Sequence, residues 1–404
     1  MQVWVGSLAF LFPFLSLVTS FGVTLTSFLF MASALILFKP SRDALVLHWP
    51  KVRWVVLAFL AHVLFIVACM VLRGEKSSAL DKPLRMLLAV CALAVVLAVR
   101  APRRALWWGA SAGALAALPF VAWERFALHM ERPGGLINPI TFGDLAMVLA
   151  LLALAGAIDM RKRPREALLA GIGALAGLVA SVLTGTRGGL VALLLAVLVL
   201  GRYLVRVDGR RVRVLLAAGV AVLAAAWFTP ALGVQAHFLQ GVQEARAWWY
   251  KGDIELSSVG IRLELWKGAV MLIREHPLVG MDFDACRERL AEYGREGRFD
   301  AKALELPHLH NDALQVLATG GVVGFVIWAA TLVAPLRFFL RRLGRDKQCP
   351  SQFAVALGGA LVVLGYVGFG LTEVIFWSMK GSVFYALMVF LLMGFCLNAE
   401  EKIG

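Results

Sequence analysis

The chain has 404 residues, of which 60% are hydrophobic and 16% charged, with a mean hydropathy of +0.80. That balance excludes a soluble globular domain and implies an all-α polytopic membrane protein. The net charge of +14 needs no nucleic acid to explain it, because it gathers in short connections of the kind that stay cytoplasmic and meet anionic headgroups.

Taken in chain order, apolar runs long enough for ~30 Å of hydrocarbon predict about twelve transmembrane helices. They begin near Val3, Gly22, Val52, Leu84, Leu106, Ile140, Leu168, Gly189, Val214, Gly321, Phe353 and Gly381. The run Val3 to Phe38 fits the charges best as two short helices turning near Ser20 and Gly22. No Lys or Arg precedes it and no clear cleavage site ends it, so a removed signal peptide is not expected.

Basic residues then set the orientation. The groups Lys39/Arg42/Lys51/Arg53, Arg100/Arg103/Arg104, Arg161/Lys162/Arg163/Arg165, Arg202/Arg206/Arg210/Arg211/Arg213 and Arg337/Arg341/Arg342/Arg345/Lys347 occupy every second connection. Both termini are therefore expected in the cytoplasm. The opposite connections, at Glu124 to Pro139, Gly185 to Gly188 and Thr372 to Lys380, face outward. So does a long polar segment, which divides the chain into nine helices in 1–228, a mainly helical periplasmic loop in 229–310 and three helices in 311–404. Of Cys69, Cys91, Cys286, Cys349 and Cys396, only Cys286 falls in that loop, and a lone thiol forms no disulfide there.

Three outward stretches carry candidate chemistry. "TGTRGGL", Thr184 to Leu190, sets Arg187 between apolar spans, where a cation is costly unless it snorkels or is paired; flanking glycines would leave it open to an anion. "SSVGIRLELWKGAVMLIREHPLVG", Ser257 to Gly280, reads as an amphipathic helix stopped by Pro277 and Gly280, with Arg262 and Trp266 on one face. Such charges usually serve solubility alone; a diphosphate ligand would want a second outer arginine beside the first.

The third is "LPHLHNDALQVLATGGVVGF", Leu306 to Phe325. Asn311 and Asp312 suit the cap of an entering helix, which would set Gly321 and Gly324 near the face of His310 and roughly 16 Å deeper. Glycines there would admit a helix or lipid chain. A neutral imidazole at headgroup level can take a proton near neutral pH. The plainer alternative is that His308 and His310 solvate a helix start, the reading given to His48, His62, His129, His237 and His276. A metal pair is disfavoured, because two histidines one residue apart project differently from a helix start and no matching carboxylate or cysteine cluster is evident.

His310-Asn311, nine residues, then Gly321-Val-Val-Gly324 is similar to the H-[NSQ]-x9-G-x-x-[GTY] signature of the O-antigen ligase and polymerase superfamily, bacterial membrane glycosyltransferases using polyprenyl-linked sugars. The resemblance extends to the span number, the large loop before the signature helix, "TRGG" opening an outer connection and an arginine-tryptophan helix in the loop. It implies a fold like that of the glycosyltransferase C class. It implies His310 as catalytic residue, Arg187 and Arg262 as pyrophosphate contacts, and Arg287, Arg289 and Asn311 as further substrate-binding candidates. Gly321 and Gly324 take structural roles. The stretch "GMDFDA", Gly280 to Ala285, departs from the glycine-rich turn expected there.

The implied reaction transfers O-antigen glycan from undecaprenyl pyrophosphate to a sugar hydroxyl of lipid A-core at the periplasmic face of the inner membrane. It needs neither cofactor nor metal, and no phosphate loop of the Gly-x-x-x-x-Gly-Lys-[Ser/Thr] type is present. The outer-loop carboxylates Asp253, Glu255, Asp282 and Asp284 show no fixed pairing of the kind glycoside hydrolases use. Asp144 and Glu373 are expected to cap a helix or pair with an arginine. O-antigen polymerase and O-linked protein glycosylation remain the nearest alternatives. A transporter fits less well, since the halves do not repeat and the polar residues collect on one face.

Overall fold

The computed structural model describes residues 1–186, 188–204, 210–230, 233–252, 254, 258–345 and 350–401, and their regular structure is entirely helical. Helices α1 (Gln2–Val18) and α2 (Gly22–Ile36) are separate, and the Thr19 hydroxyl accepts from the Gly22 amide at 2.9 Å between them. Helix α3 (Phe38–Arg73) follows, then α4 (Asp81–Leu88), α5 (Val90–Val99), α6 (Arg104–Phe126), α7 (Pro139–Asp159) and α8 (Pro164–Leu183). Next come α9 (Gly188–Leu204), α10 (Arg210–Phe228), α11 (Val234–Lys251), α12 (Ser258–Glu275) and α13 (Phe283–Arg295). The chain closes with α14 (Asp312–Arg345), α15 (Pro350–Gly370) and α16 (Met379–Glu400).

Among the described residues, eight helical stretches are long and apolar enough to cross a membrane; four shorter apolar helices, Gln2–Val18, Gly22–Ile36, Gly188–Tyr203 and Leu216–Phe228, accompany them. Two expected boundaries are corrected. The basic group Lys39 to Arg53 is helix, the first half of the 36-residue α3; Pro40 falls in its first turn, where an amide is unbonded anyway, and Pro50 is tolerated inside. The helix expected from Gly321 starts at Asp312.

Helices α7, α15 and α16 form the buried centre, with most or all of their apolar windows inside the protein. Around them pack α1, α3, α6, α8 and α14. A separate small core joins the segment between α10 and α14: Leu265, Ala269 and Leu272 of α12 meet Cys286, Leu290 and Tyr293 of α13, closed by Phe299 and Leu309. Burying ~25 cal/mol per Å² of apolar surface is what lets so short a segment hold a shape outside the bundle.

That segment is anchored to the bundle by a backbone crossing. Within α14, Gly321 leaves helical geometry, with φ 61° and ψ −164°. The amides of Val322 and Val323 turn to the carbonyls of Pro277 and Leu278 at 2.8 and 3.0 Å, and the Met281 amide donates to Ala318 at 3.0 Å. A Cβ on Gly321 would stand 2.3 Å from the Leu278 carbonyl carbon, so only glycine fits there. Gly280, also left-handed at φ 67°, is the other half of the crossing. The signature glycines therefore do not continue one face from His310. Gly321 breaks the helix to seat the turn after α12, while Gly324 faces the Phe65 ring of α3.

The basic connections gather at one end of the bundle. Lys51 and Arg342 pair with Glu400, Arg100 and His48 with Glu401, and Arg103 with Asp159. His48 is thus buried and paired rather than solvated, and half-buried His62 lines a cavity. The start of α14 lies at the opposite end, with the connection between α15 and α16.

Candidate functional site

The residues just before α14 make a turn of uncommon backbone geometry. His310 has φ 50°, in the left-handed region that side chains rarely adopt. Asn311 caps the helix: its Oδ1 accepts from the Leu314 amide at 3.0 Å and its Nδ2 donates to the Leu371 carbonyl at 3.2 Å. Neighbours brace the loop from outside. Trp266 Nε1 donates to the Leu309 carbonyl at 3.0 Å, and Gln315 Oε1 accepts from the Leu309 amide at 3.1 Å.

The turn brings both imidazoles onto one carboxylate. His310 Nδ1 stands 2.8 Å from Glu373 Oε2 and His308 Nε2 stands 3.2 Å from Glu373 Oε1, with the two ring centroids 4.3 Å apart. The expectation that His308 and His310 point to different sides assumed helical geometry, and the left-handed residue removes that assumption. The carboxylate missing from the sequence argument against a histidine pair is Glu373, 63 residues away along the chain. Among the described residues Glu373 pairs with the two imidazoles, its Oε1 and Oε2 both turned to the 308–310 loop.

A carboxylate can only accept, so Glu373 holds His310 with its proton on Nδ1 and leaves Nε2 as the acceptor. That Nε2 is buried and has no hydrogen-bond partner among the described residues; His308 Nδ1 is in the same condition. Burial pushes His308 down to about 4, and the nearby positive charges of His310, Arg262 and Lys82 act the same way against the pull of Glu373. For Glu373 burial alone would raise the carboxyl, but its hydrogen bond to His310 and the two imidazoles outweigh it and hold the group below its ordinary value.

Beside Glu373 opens a narrow cleft lined by Arg132, Arg262, Ser258, Thr184, Thr186 and Thr372. Two of the three candidate stretches therefore meet the third: the "TGTRGG" turn and the α12 arginine share a cleft with the histidine partner. Arg187 itself lies outside the described residues. A second, larger cavity lies between α3, α4, α13 and α14; Arg73, Lys76 and Lys82 line it together with Glu75, Asp284, Asp312, Phe65, Gly324 and Trp328.

Other predicted residues are placed elsewhere. Arg287 donates to the carbonyls of Leu304, Leu306 and Pro307, at 2.7, 2.9 and 3.3 Å, so it clamps the strand of chain leading to His308. Arg289 forks onto Glu275 and also reaches Glu292, holding Glu275 down to about 2 through its hydrogen bonds. Asp282 caps α13 and Asp284 pairs with Lys76, whereas Asp253 and Glu255 lie outside the described residues. Asp144 is fully buried beside Gly188, and no described residue hydrogen-bonds to it.

Sequence reasoning missed one functional candidate, Arg132, and the partners of another, Glu373. Arg132 stands in the outer connection after α6, whose shape is set by Glu124 accepting from the Gly134 and Gly135 amides at 2.9 Å each; its only signal was a lone cation in an outward turn. The role of Glu373 had no local signal, since its partners are distant in sequence.

An integral membrane protein with a carboxylate-held histidine beside a basic cleft is the class that fold and site define. The comparisons agree with it. Residues 172–329, which include the "TRGG" turn, α12 and the His310 signature, match the family model described as O-antigen ligase. The chain is 27% identical over 324 residues to an O-antigen ligase of Pseudomonas aeruginosa, covering 78% of this chain and 70% of that protein. It is 20% identical over 333 residues to an uncharacterized protein of Haemophilus influenzae, covering 82% and 83% respectively. The resemblance to the O-antigen ligase superfamily thus extends across most of the chain.

Proposed function

We propose that this protein is an O-antigen ligase that moves glycan from undecaprenyl pyrophosphate to a sugar hydroxyl of lipid A-core, at the periplasmic face of the bacterial inner membrane. The observation that carries this reading is His310, fixed by Glu373 at Nδ1 and with Nε2 unengaged, next to a cleft lined by Arg132 and Arg262.

The donor diphosphate lies in that cleft. Arg262, with Arg187 from the adjoining turn and Arg132, holds the charge that grows on the leaving diphosphate as its bond to the anomeric carbon breaks. The acceptor hydroxyl oxygen forms the new bond from the opposite face, and its proton passes to His310 Nε2. Configuration inverts in one displacement. Glu373 stabilises the imidazolium that results and keeps the ring from turning. Charge stabilisation falls to arginine, so the reading requires no metal. The second cavity combines charged side chains of both signs, Arg73, Lys76 and Lys82 with Glu75, Asp284 and Asp312, with an apolar wall that includes Phe65 and Trp328, a mixture suited to an amphipathic substrate.

Purified protein given lipid-linked glycan and, separately, lipid A-core, a second lipid-linked glycan or an acceptor protein should form product with lipid A-core alone. Product only from the second lipid-linked glycan would make it a polymerase. Sidedness has its own check. Cysteines placed at Glu244 and Arg295 should react with an impermeant thiol reagent from the periplasm, and one at Arg163 should not; the reverse labelling would overturn the orientation and the mechanism together.

A further inference from the structure

His308, His310 and Glu373 each offer one ligand atom, a ring nitrogen or a carboxylate oxygen, and these atoms lie within 4.8 Å of one another. Around a tetrahedral zinc ion with bonds of ~2.0–2.1 Å, ligand atoms stand roughly 3.3–3.4 Å apart. Each imidazole nitrogen meets its own carboxylate oxygen, His308 Nε2 at 3.2 Å from Oε1 and His310 Nδ1 at 2.8 Å from Oε2; both separations are shorter than that value, so side-chain rotations would open the triad around an ion. Two imidazoles and one carboxylate favour zinc over magnesium, which takes an all-oxygen shell and sheds water reluctantly. Glu373 lines the arginine cleft, which gives an ion a way in and a fourth ligand from solvent.

We propose that His308, His310 and Glu373 form a zinc site, and that zinc bound there inhibits glycan transfer. The triad assembles from a left-handed turn and the connection after α15, so neither segment alone shows it. The chemistry of inhibition follows from the ring. A neutral imidazole that binds metal through Nδ1 carries its proton on Nε2. As zinc binds, each ring stays neutral and its proton moves from the metal-binding nitrogen to the other one, through solvent. His310 Nε2 then becomes a donor and can no longer take the acceptor proton. The inhibition, though not the binding, rests on His310 being the base.

The test uses full-length protein purified without a histidine tag and titrated with zinc against a fluorescent chelator. Wild type should hold one ion at this site that His308→Ala and Glu373→Gln both lose. Cobalt in place of zinc should give the strong visible absorption of a tetrahedral site in wild type alone. Saturating zinc should slow wild-type transfer by about tenfold or more, given that a general base contributes ~10²–10⁴-fold, and added chelator should restore the rate. Equal zinc binding and equal cobalt spectra in wild type and both variants would overturn the site and leave the base assignment standing. Zinc bound at the triad with an undiminished transfer rate would overturn the inhibition and the base assignment with it. These binding readouts need no activity, so a variant that transfers poorly still decides the question.

Discussion

Two buried carboxylates at opposite ends of the bundle are treated in opposite ways. Asp159, 1% exposed, takes two hydrogen bonds from Arg103 at 2.8 and 3.0 Å and one from Trp107 at 3.0 Å, and Arg103 is held in turn by Ser351 at 2.6 Å. Its charge is matched and its lone pairs are used. Glu373 instead holds two imidazoles, each of which keeps one buried nitrogen without a partner among the described residues. Closed networks of the first kind lock helices together, whereas an unsatisfied group in a low-dielectric interior costs stability and persists where something else uses it. The comparison separates scaffold from site without reference to the fold's relatives.

The sharpest way to break that comparison is at His310. His310→Ala should lower transfer by ~10²–10⁴-fold, with donor binding and thermal stability nearly intact. His310→Asn tests the same point with a residue that tolerates the left-handed turn. Near wild-type initial rates with defined donor and lipid A-core, in either variant, would end the general-base role.

Arg103→Met should do the reverse. It leaves Asp159 buried and unpaired, which typically costs ~3–5 kcal/mol. A lower melting temperature in detergent and a normal rate per folded molecule are expected. A variant that melts like wild type but transfers slowly would mean that this end also serves the chemistry.

Acid should find the site end before the scaffold end. His308 at about 4 in the folded protein, against 6.5 unfolded, means that the unfolded chain binds more protons between those values. Stability is therefore lost as pH falls from 6.5 towards 4, by on the order of 3 kcal/mol in total. Glu373, held below its ordinary value, acts in the same direction, losing its contribution as pH falls through its folded value. Melting temperatures measured from pH 7.5 to 4.5 should fall in wild type and fall less in His308→Ala. Equal slopes would show that His308 is not the group responsible.

The smallest effect concerns the two arginines proposed to hold the diphosphate. Arg187→Ala and Arg262→Ala should each reduce transfer about tenfold or more, as expected from charge-assisted contacts worth ~1.5–3 kcal/mol. Arg→Lys should recover only part, since a point charge lacks the planar fork. If donor KM and rate stay unchanged in both alanine variants, the diphosphate assignment is wrong.

The membrane class and the candidates His310, Arg187 and Arg262 are legible along the chain, because hydropathy, basic residues and a short signature are local properties. The sequence reading of the glycines failed for a physical reason: Gly321 was placed on a continuous helix, and a single residue at positive φ both broke that helix and docked the turn after α12. Tertiary structure alone decided which helices are central, since lipid-facing and protein-facing positions are equally apolar in a membrane. It also decided that Glu373 serves His308 and His310, that Arg132 reaches the cleft, and that Arg287 and Arg289 are engaged elsewhere. A side chain's partners depend on where distant segments cross, and neither periodicity nor charge along the chain records those crossings.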